Sequence, residues 1–122
     1  MGMEVDAFIE APREGSDGGA RPYHCFARLY LSRQSGLQLH ILSGSSGDPP
    51  YQISDLSPVA QERLNANADR TSDPYEIRAC DAEDFNARRA RLKGAPTQDV
   101  QAALAALMAL GDRARLVFWY WG

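Results

Sequence analysis

The stretch of sequence that specifies the fold most strongly is residues 22–43, which read PYHCFARLYLSRQSGLQLHILS. Apolar and polar residues alternate over 22–33 and again over 37–43. Alternation with a period of two predicts strands with one buried face. The link between them, residues 34–36, ends in glycine, which is typical of a three-residue hairpin loop. The stretch therefore predicts a β-hairpin.

Working outward from this hairpin, the same criteria predict three more strands and three helices. The predicted strands span 3–9, 75–80 and 115–121, and the predicted helices run from Pro58 to about Ala68, from Ala82 to about Lys93 and from Gln98 to Leu110. The element order β-β-β-α-β-α-α-β favours an α+β fold. We expect a mostly antiparallel sheet of about five strands with three helices packed on one face.

The length and composition fit one globular domain. The chain has 122 residues, of which 44% are hydrophobic and 24% charged. A chain of this size buries enough surface to fold without a metal or a disulfide. We expect a single α+β domain over residues 1–122. Residues 10–21 contain no large apolar side chain, which predicts a flexible loop there.

The charge balance argues against some classes of partner. Thirteen basic residues face sixteen acidic ones, for a net charge of −3. Duplex affinity depends on a basic face that neutralises phosphates, so we expect no direct nucleic-acid binding. The sequence has no run of about 20 apolar residues, so we expect no membrane span. Arginine supplies 12 of the basic residues and alanine 18 positions, a bias that favours a GC-rich bacterial or phage genome.

The N-terminus and the two cysteines point to the cytoplasm. Residues 1–6 are acidic and lack the apolar core of a signal peptide. Cytoplasmic thiols stay reduced, so Cys25 and Cys80 are expected to be small core residues and not a disulfide.

The sequence lacks a pattern that indicates catalysis, a cofactor or a metal. His24 and Cys25 are adjacent in a predicted strand and would point to opposite faces. In the predicted hairpin His40 lies opposite Tyr30, too far from His24 to share a metal ion. The glycine-rich residues 44–47 have no lysine nearby to hold a phosphate. We therefore expect no cofactor and no metal.

Charged clusters give the better functional signal. The basic run 88–93 falls in the last turn of a predicted helix, where cations complement the helix dipole. The segment 69–84 is strongly acidic and could steer the chain toward a partner with a basic surface. Trp121, close to the end of an aromatic strand, is a further candidate contact. The predicted partner-binding residues are Asp73, Glu76, Asp81, Glu83, Asp84 and Trp121.

Two hypotheses of different class follow. The first is a small acidic protein-binding domain that inhibits or neutralises a larger partner, as toxin-neutralising immunity proteins and phage anti-defence inhibitors do. The second is a small enzyme or ligand-binding domain that uses the outer face of the hairpin, with His24, Arg28, Tyr30 and His40. The pattern favours binding over catalysis without deciding between them, and it leaves a homodimer open.

Overall fold

The computed structural model describes residues 4–12, 23–43, 56–66, 77–111 and 113–121, with only the backbone described for residues 4, 120 and 121. The strands are β1 (Glu4–Pro12), β2 (Tyr23–Tyr30), β3 (Arg78–Cys80) and β4 (Arg115–Trp121). The α-helices are α1 (Arg33–Leu42), α2 (Pro58–Ala66), α3 (Ala82–Arg88) and α4 (Gln98–Leu110), and a 3-10 helix spans Arg89–Arg91. The predicted α+β class is confirmed.

The four described strands form one antiparallel sheet in the order β2-β1-β4-β3. The centre of the sheet is therefore made by β1 and β4. Residues 116–119 of β4 are each 0% exposed, so this strand is covered on both faces. β3 lies at one edge, the position that its preceding proline favours. The structure describes four strands and about five were predicted, because one of the predicted strands is a helix.

The predicted β-hairpin is wrong. Residues 37–43, predicted as its second strand, belong to α1 and its C-cap, and β2 pairs with β1 instead. The helix begins because the Ser32 hydroxyl accepts a hydrogen bond from the Ser35 amide at 3.1 Å. Its buried stripe is partly polar: the buried residues are Ser35, Gly36, Gln38, Leu39 and Leu42. That stripe has helical spacing, whereas two apolar residues of the apparent alternation, Leu37 and Ile41, are exposed.

Polar side chains join the beginnings of α1 and α4. The buried Ser35 hydroxyl lies 2.7 Å from the Thr97 hydroxyl and donates to Asp99 Oδ2 at 3.1 Å. Gln38 accepts from the Thr97 amide at 2.9 Å and donates to the Ala95 carbonyl at 3.2 Å. These bonds explain why two polar residues occupy the buried side of α1.

A β-bulge divides β2. Ala27 pairs with Ile9, but Cys25 and not Phe26 pairs with Glu10, so Phe26 is the extra residue. Ala27 consequently packs with the cluster under α1, α3 and α4, whereas Cys25 packs with the cluster under α2. The alternation predicted over residues 22–33 would place Cys25 and Ala27 on one face, and the bulge makes that wrong.

Helices cover both faces of the sheet, and the prediction of one covered face is wrong. The larger cluster joins Ile9, Leu116 and Phe118 to apolar residues of α1, α3 and α4. The smaller cluster, on the opposite face, consists of Phe8, Leu56, Ala60, Val117 and Trp119. It packs under α2. β1 was predicted to be half-buried, and α2 instead buries its second face.

The predicted helix boundaries are close to those observed. Ser57 caps α2, since its hydroxyl accepts from the Ala60 amide at 3.3 Å. Thr97 caps α4 through the Val100 amide at 3.3 Å, and Gly111 ends that helix with a φ of 96°. α3 is shorter than predicted, because the chain tightens into the 3-10 helix after Arg88. No described helix has the length and apolar character needed to cross a bilayer.

Most of the predicted loop 10–21 lies outside the described residues. Residues 10–12 are part of β1, so the predicted loop begins too early. The strand extends because Glu10 and Ala11 are both buried there.

Candidate functional site

The edge strand β2 presents an exposed surface that contains two aromatic residues and an arginine. Phe26 is 52% exposed and Tyr30 80% exposed. Between them, the Arg28 side chain is 36% exposed and its Cζ lies 5.1 Å from the centroid of the Tyr30 ring. We call Phe26, Arg28 and Tyr30 the β2 surface.

Arg28 is held in place by charges on the adjacent strand. Its Nη2 lies 3.6 Å from Asp6 Oδ1, and Arg63 of α2 donates to Asp6 Oδ2 at 3.2 Å. Asp6 is 6% exposed, so the two arginines compensate a nearly buried carboxylate. Arg28 also stacks 5.7 Å from the Phe8 ring centroid. The guanidinium is therefore oriented before any partner arrives.

A second buried carboxylate anchors α2 to the sheet. Glu10 is 0% exposed, and its Oε1 accepts from Arg115 Nε at 3.1 Å and from Nη2 at 2.9 Å. Its Oε2 accepts from the Ser57 amide at 2.7 Å, at the N-terminus of α2. Arg115 Cζ stacks 3.6 Å from the centroid of the Tyr23 ring. A carboxylate at a helix N-terminus also interacts favourably with the helix dipole.

Two of the predicted acidic contacts have a structural task. Asp81 caps α3 by accepting from the Asp84 amide at 2.7 Å, and Asp84 accepts from the Asp81 amide at 3.1 Å. This reciprocal pair is a capping box. Burial raises the pKa of Asp84 above its usual value, and the nearby Asp81 carboxylate raises it further. Glu83, in contrast, is exposed and accessible to a partner.

The remaining predicted partner contacts are not described. Asp73 and Glu76 lie outside the described residues, and so does the side chain of Trp121. The backbone of Trp121 pairs with that of Glu4 at the end of β4.

The structure does not assemble the predicted hairpin face. His40 is a half-buried residue of α1, which packs on the sheet face opposite α2. His24 pairs with Ala11 at the other end of β2 from Tyr30. Only Arg28 and Tyr30 of the four residues are in contact. Because residues 37–43 are not a strand, His40 does not lie opposite Tyr30, and the predicted outer face is not formed.

Both thiols are free, and they differ in burial. Cys80 is 1% exposed, and burial raises its pKa to about 12, helped by the carboxylates of Asp84 and Asp81. Cys25 is half-buried, and its pKa is raised chiefly by desolvation. A raised pKa leaves little thiolate at neutral pH, so neither residue is prepared for nucleophilic attack. In the described ranges no group of three or more His, Cys, Asp or Glu side chains could hold a metal ion.

Sequence reasoning missed the pairing of Asp6 and Glu10 with arginines. The predicted loop 10–21 includes Glu10, and the sequence pattern predicts no partner for Asp6. Their spacing was the available signal. Asp6, Phe8 and Glu10 lie two residues apart and share one face of a strand, and the aromatic Phe8 indicates that this face is buried. Their partners Arg63 and Arg115 lie 57 and 105 residues away along the chain, a distance that no local pattern reveals.

Comparison of the chain with protein-family models, with curated proteins and with solved structures finds no match.

Proposed function

We propose that this chain is a small protein-binding domain that inhibits or neutralises a larger partner, and that the β2 surface is the centre of the contact. The observation that supports this most is the exposure of Tyr30 and Phe26, 80% and 52%, on either side of an ordered arginine. Tyrosine, tryptophan and arginine are the residue types that most often dominate binding energy at protein interfaces.

The ordering of Arg28 favours binding over a merely solvated surface. Arg28 packs against the Tyr30 ring and is paired with Asp6, which Arg63 also holds. Side chains that are already oriented lose less conformational entropy when a partner binds. Burying an aromatic ring contributes about 2 kcal/mol, so both rings together supply a useful part of a protein–protein affinity.

The acidic N-terminus of α3 forms a second part of the proposal. Glu83 is exposed there, beside the half-buried Asp81 and Asp84. An acidic patch of this kind accelerates association with a basic partner without adding much affinity. Glu83 is the suitable residue for a test, because changing Asp81 or Asp84 would remove the cap of α3.

The experiment begins with capture of partners from a lysate of the cell that encodes the chain. Wild type and Tyr30→Asp serve as bait, and Ile41→Asp is the matched control, since Ile41 is 38% exposed on α1. A partner retained by wild type and by the control is then purified, whether or not Tyr30→Asp retains it. We expect Tyr30→Asp and Phe26→Asp each to weaken its binding at least about tenfold.

The purified chain and its partner also test whether the partner is inhibited and whether Glu83 accelerates association. Addition of the wild-type chain should lower the activity of the partner in a stoichiometric manner. Glu83→Lys should slow association at low salt and leave the dissociation rate unchanged. Equal binding by Tyr30→Asp and wild type would refute the assignment of the β2 surface, and an active partner in the saturated complex would refute inhibition.

A further inference from the structure

A groove between α3 and α4 is independent of the β2 surface. It has a volume of about 470 Å³ and is open along one side. Phe85, Leu104, Ala105 and Met108 supply most of its apolar lining. Met108 is 64% exposed, the largest exposed fraction of any large apolar side chain on the described helices. A flexible, polarisable methionine is common on surfaces that bind the apolar face of another helix.

The lining residues of α4 form a stripe along one side of that helix. Gln101, Leu104, Ala105 and Met108 follow the spacing i, i+3, i+4, i+7. The buried side of the same helix is occupied by other residues, Val100, Ala103 and Leu107. The groove side of α4 therefore adjoins its buried side at Leu104, which also packs against the larger cluster, and adds the exposed Ala105 and Met108. The small side chain of Ala105, between Leu104 and Met108, allows close approach by a helix.

The border of the groove is basic. Arg89 lines it, with Cζ 5.8 Å from the centroid of the Phe85 ring. The chain between Arg89 and the next lining residue, Ala95, carries Arg91 and Lys93, both exposed. None of the described lining residues carries a carboxylate. Arg89 of the basic run thus lines the groove, and Arg91 and Lys93 follow it in the chain as exposed cations.

We propose that this groove binds an amphipathic helix of a partner protein whose polar face is acidic. The apolar lining accepts side chains spaced three and four residues apart, as in other helix-in-groove complexes. The basic border fits carboxylates that flank those side chains. The inference does not rest on the proposed inhibitor function, because α4 and β2 are separate surfaces with separate tests.

The test uses synthetic peptides of about five helical turns, ~18 residues. The first peptide carries leucines at helical spacing on one face and glutamates elsewhere. A second has the same composition in shuffled order, and a third has lysine in place of glutamate. Fluorescence anisotropy measures binding to the full chain, and amide chemical shifts locate the contact. We expect the amphipathic acidic peptide to bind at least about tenfold more tightly than either control.

Variants of the chain complete the test. Met108→Asp should lower the affinity for the acidic peptide at least about tenfold at every salt concentration, because it places a carboxylate in the apolar stripe. The double variant Arg91→Glu, Lys93→Glu should weaken binding of the acidic peptide several-fold at low salt. The loss should be much smaller at 0.5 M salt, where the Debye length is ~4 Å. Val59→Asp, an exposed residue of α2, is the control and should bind like wild type.

Several outcomes would overturn the proposal. These are equal binding of the three peptides, unchanged binding by Met108→Asp, shift changes outside α3 and α4, or no binding at about 1 mM peptide. Vesicles of phosphatidylcholine with one third phosphatidylserine are measured in parallel. Binding to these vesicles without binding to the acidic peptide would assign the surface to a membrane and would refute a protein helix.

Discussion

Cys80 and Cys25 differ by position in the sheet, and this difference predicts their reactivity. Cys80 is 1% exposed on the edge strand β3 and packs with the larger cluster, and its pKa is raised to about 12. Cys25 is half-buried at the bulge of β2. Because a thiol reagent attacks the thiolate, access and pKa together set the rate.

We expect one thiol of the native protein to react with an aromatic disulfide reagent and the other to react only after unfolding. The reaction of Cys25 should accelerate as the pH rises above 8.5, since its pKa is raised and the thiolate fraction grows. Cys25→Ala should remove the fast reaction and leave the slow one. Equal rates for both thiols in the folded protein would contradict the burial of Cys80.

At the scale of single elements, α1 shows how a helix can be mistaken for a strand. Leu37, Leu39 and Ile41 alternate with polar residues, and this alternation predicted a strand. The helix buries Leu39 and Leu42 and leaves Leu37 51% exposed. The two interpretations therefore disagree about which leucines support the fold.

Substitutions separate these interpretations by their cost in stability. In the helix, Leu37→Gln and Ile41→Gln should each change the free energy of unfolding by less than about 0.5 kcal/mol, as exposed substitutions do. Leu39→Ala should cost about 2–5 kcal/mol, because Leu39 is 2% exposed in the larger cluster. In a hairpin, all three residues would lie inward and all three changes would be costly. Urea unfolding measures each value.

The elements that could be predicted from sequence are those whose own residues contain the signal. Pro58, which follows Ser57, marks the first residue of α2. Gly111, which follows an alanine-rich stripe, marks the end of α4. An apolar run on both faces identifies the central strand β4. The sequence did not predict α1 because its buried stripe includes Ser35 and Gln38, two polar residues. Their hydrogen-bond partner Thr97 lies far along the chain, at the N-terminus of α4.

The β2 bulge and the exposure of the candidate contact residues could not be predicted from the local sequence pattern. The bulge appears only when β2 is aligned with β1, and it alone separates Cys25 from Ala27. The acidic site was predictable as a charge cluster, but two of its five acids, Asp81 and Asp84, form the capping box of α3. Exposure of Phe26 and Tyr30 depends on β2 lying at the sheet edge, which the sequence could not decide.

At the scale of the whole molecule, the two faces of the sheet are unequally covered. Three α-helices pack on one face, and on the other α2 is anchored by Glu10 and Arg63. Beneath α2, Trp119 Nε1 is buried with no hydrogen-bond partner in the part of the chain that the structure describes. The cluster under α2 is the smaller of the two, so α2 should open before the helices on the other face.

Glu10→Gln tests this asymmetry. Breaking a buried ion pair costs about 3–5 kcal/mol, because Arg115 keeps a charge without its carboxylate. We expect urea unfolding to show that loss, and amide hydrogen exchange to accelerate more in α2 than in α4. Glu62→Gln, an exposed change on α2, is the control and should leave both measurements unchanged. A loss below about 1 kcal/mol, or equal acceleration in both helices, would contradict the anchoring role.

The pairing of β1 with β4 has a consequence for the way the protein is made. These two central strands join residues 105 or more positions apart, from the Glu10–Arg115 pair to the ends of both strands. A ribosome releases β1 long before it has synthesised β4, so β2 can pair with one edge of β1 while the other edge stays unpaired. Closing so long a loop is slow. Until residues 115–121 are made, the newly made polypeptide therefore carries an open strand edge of the kind that pairs with other chains.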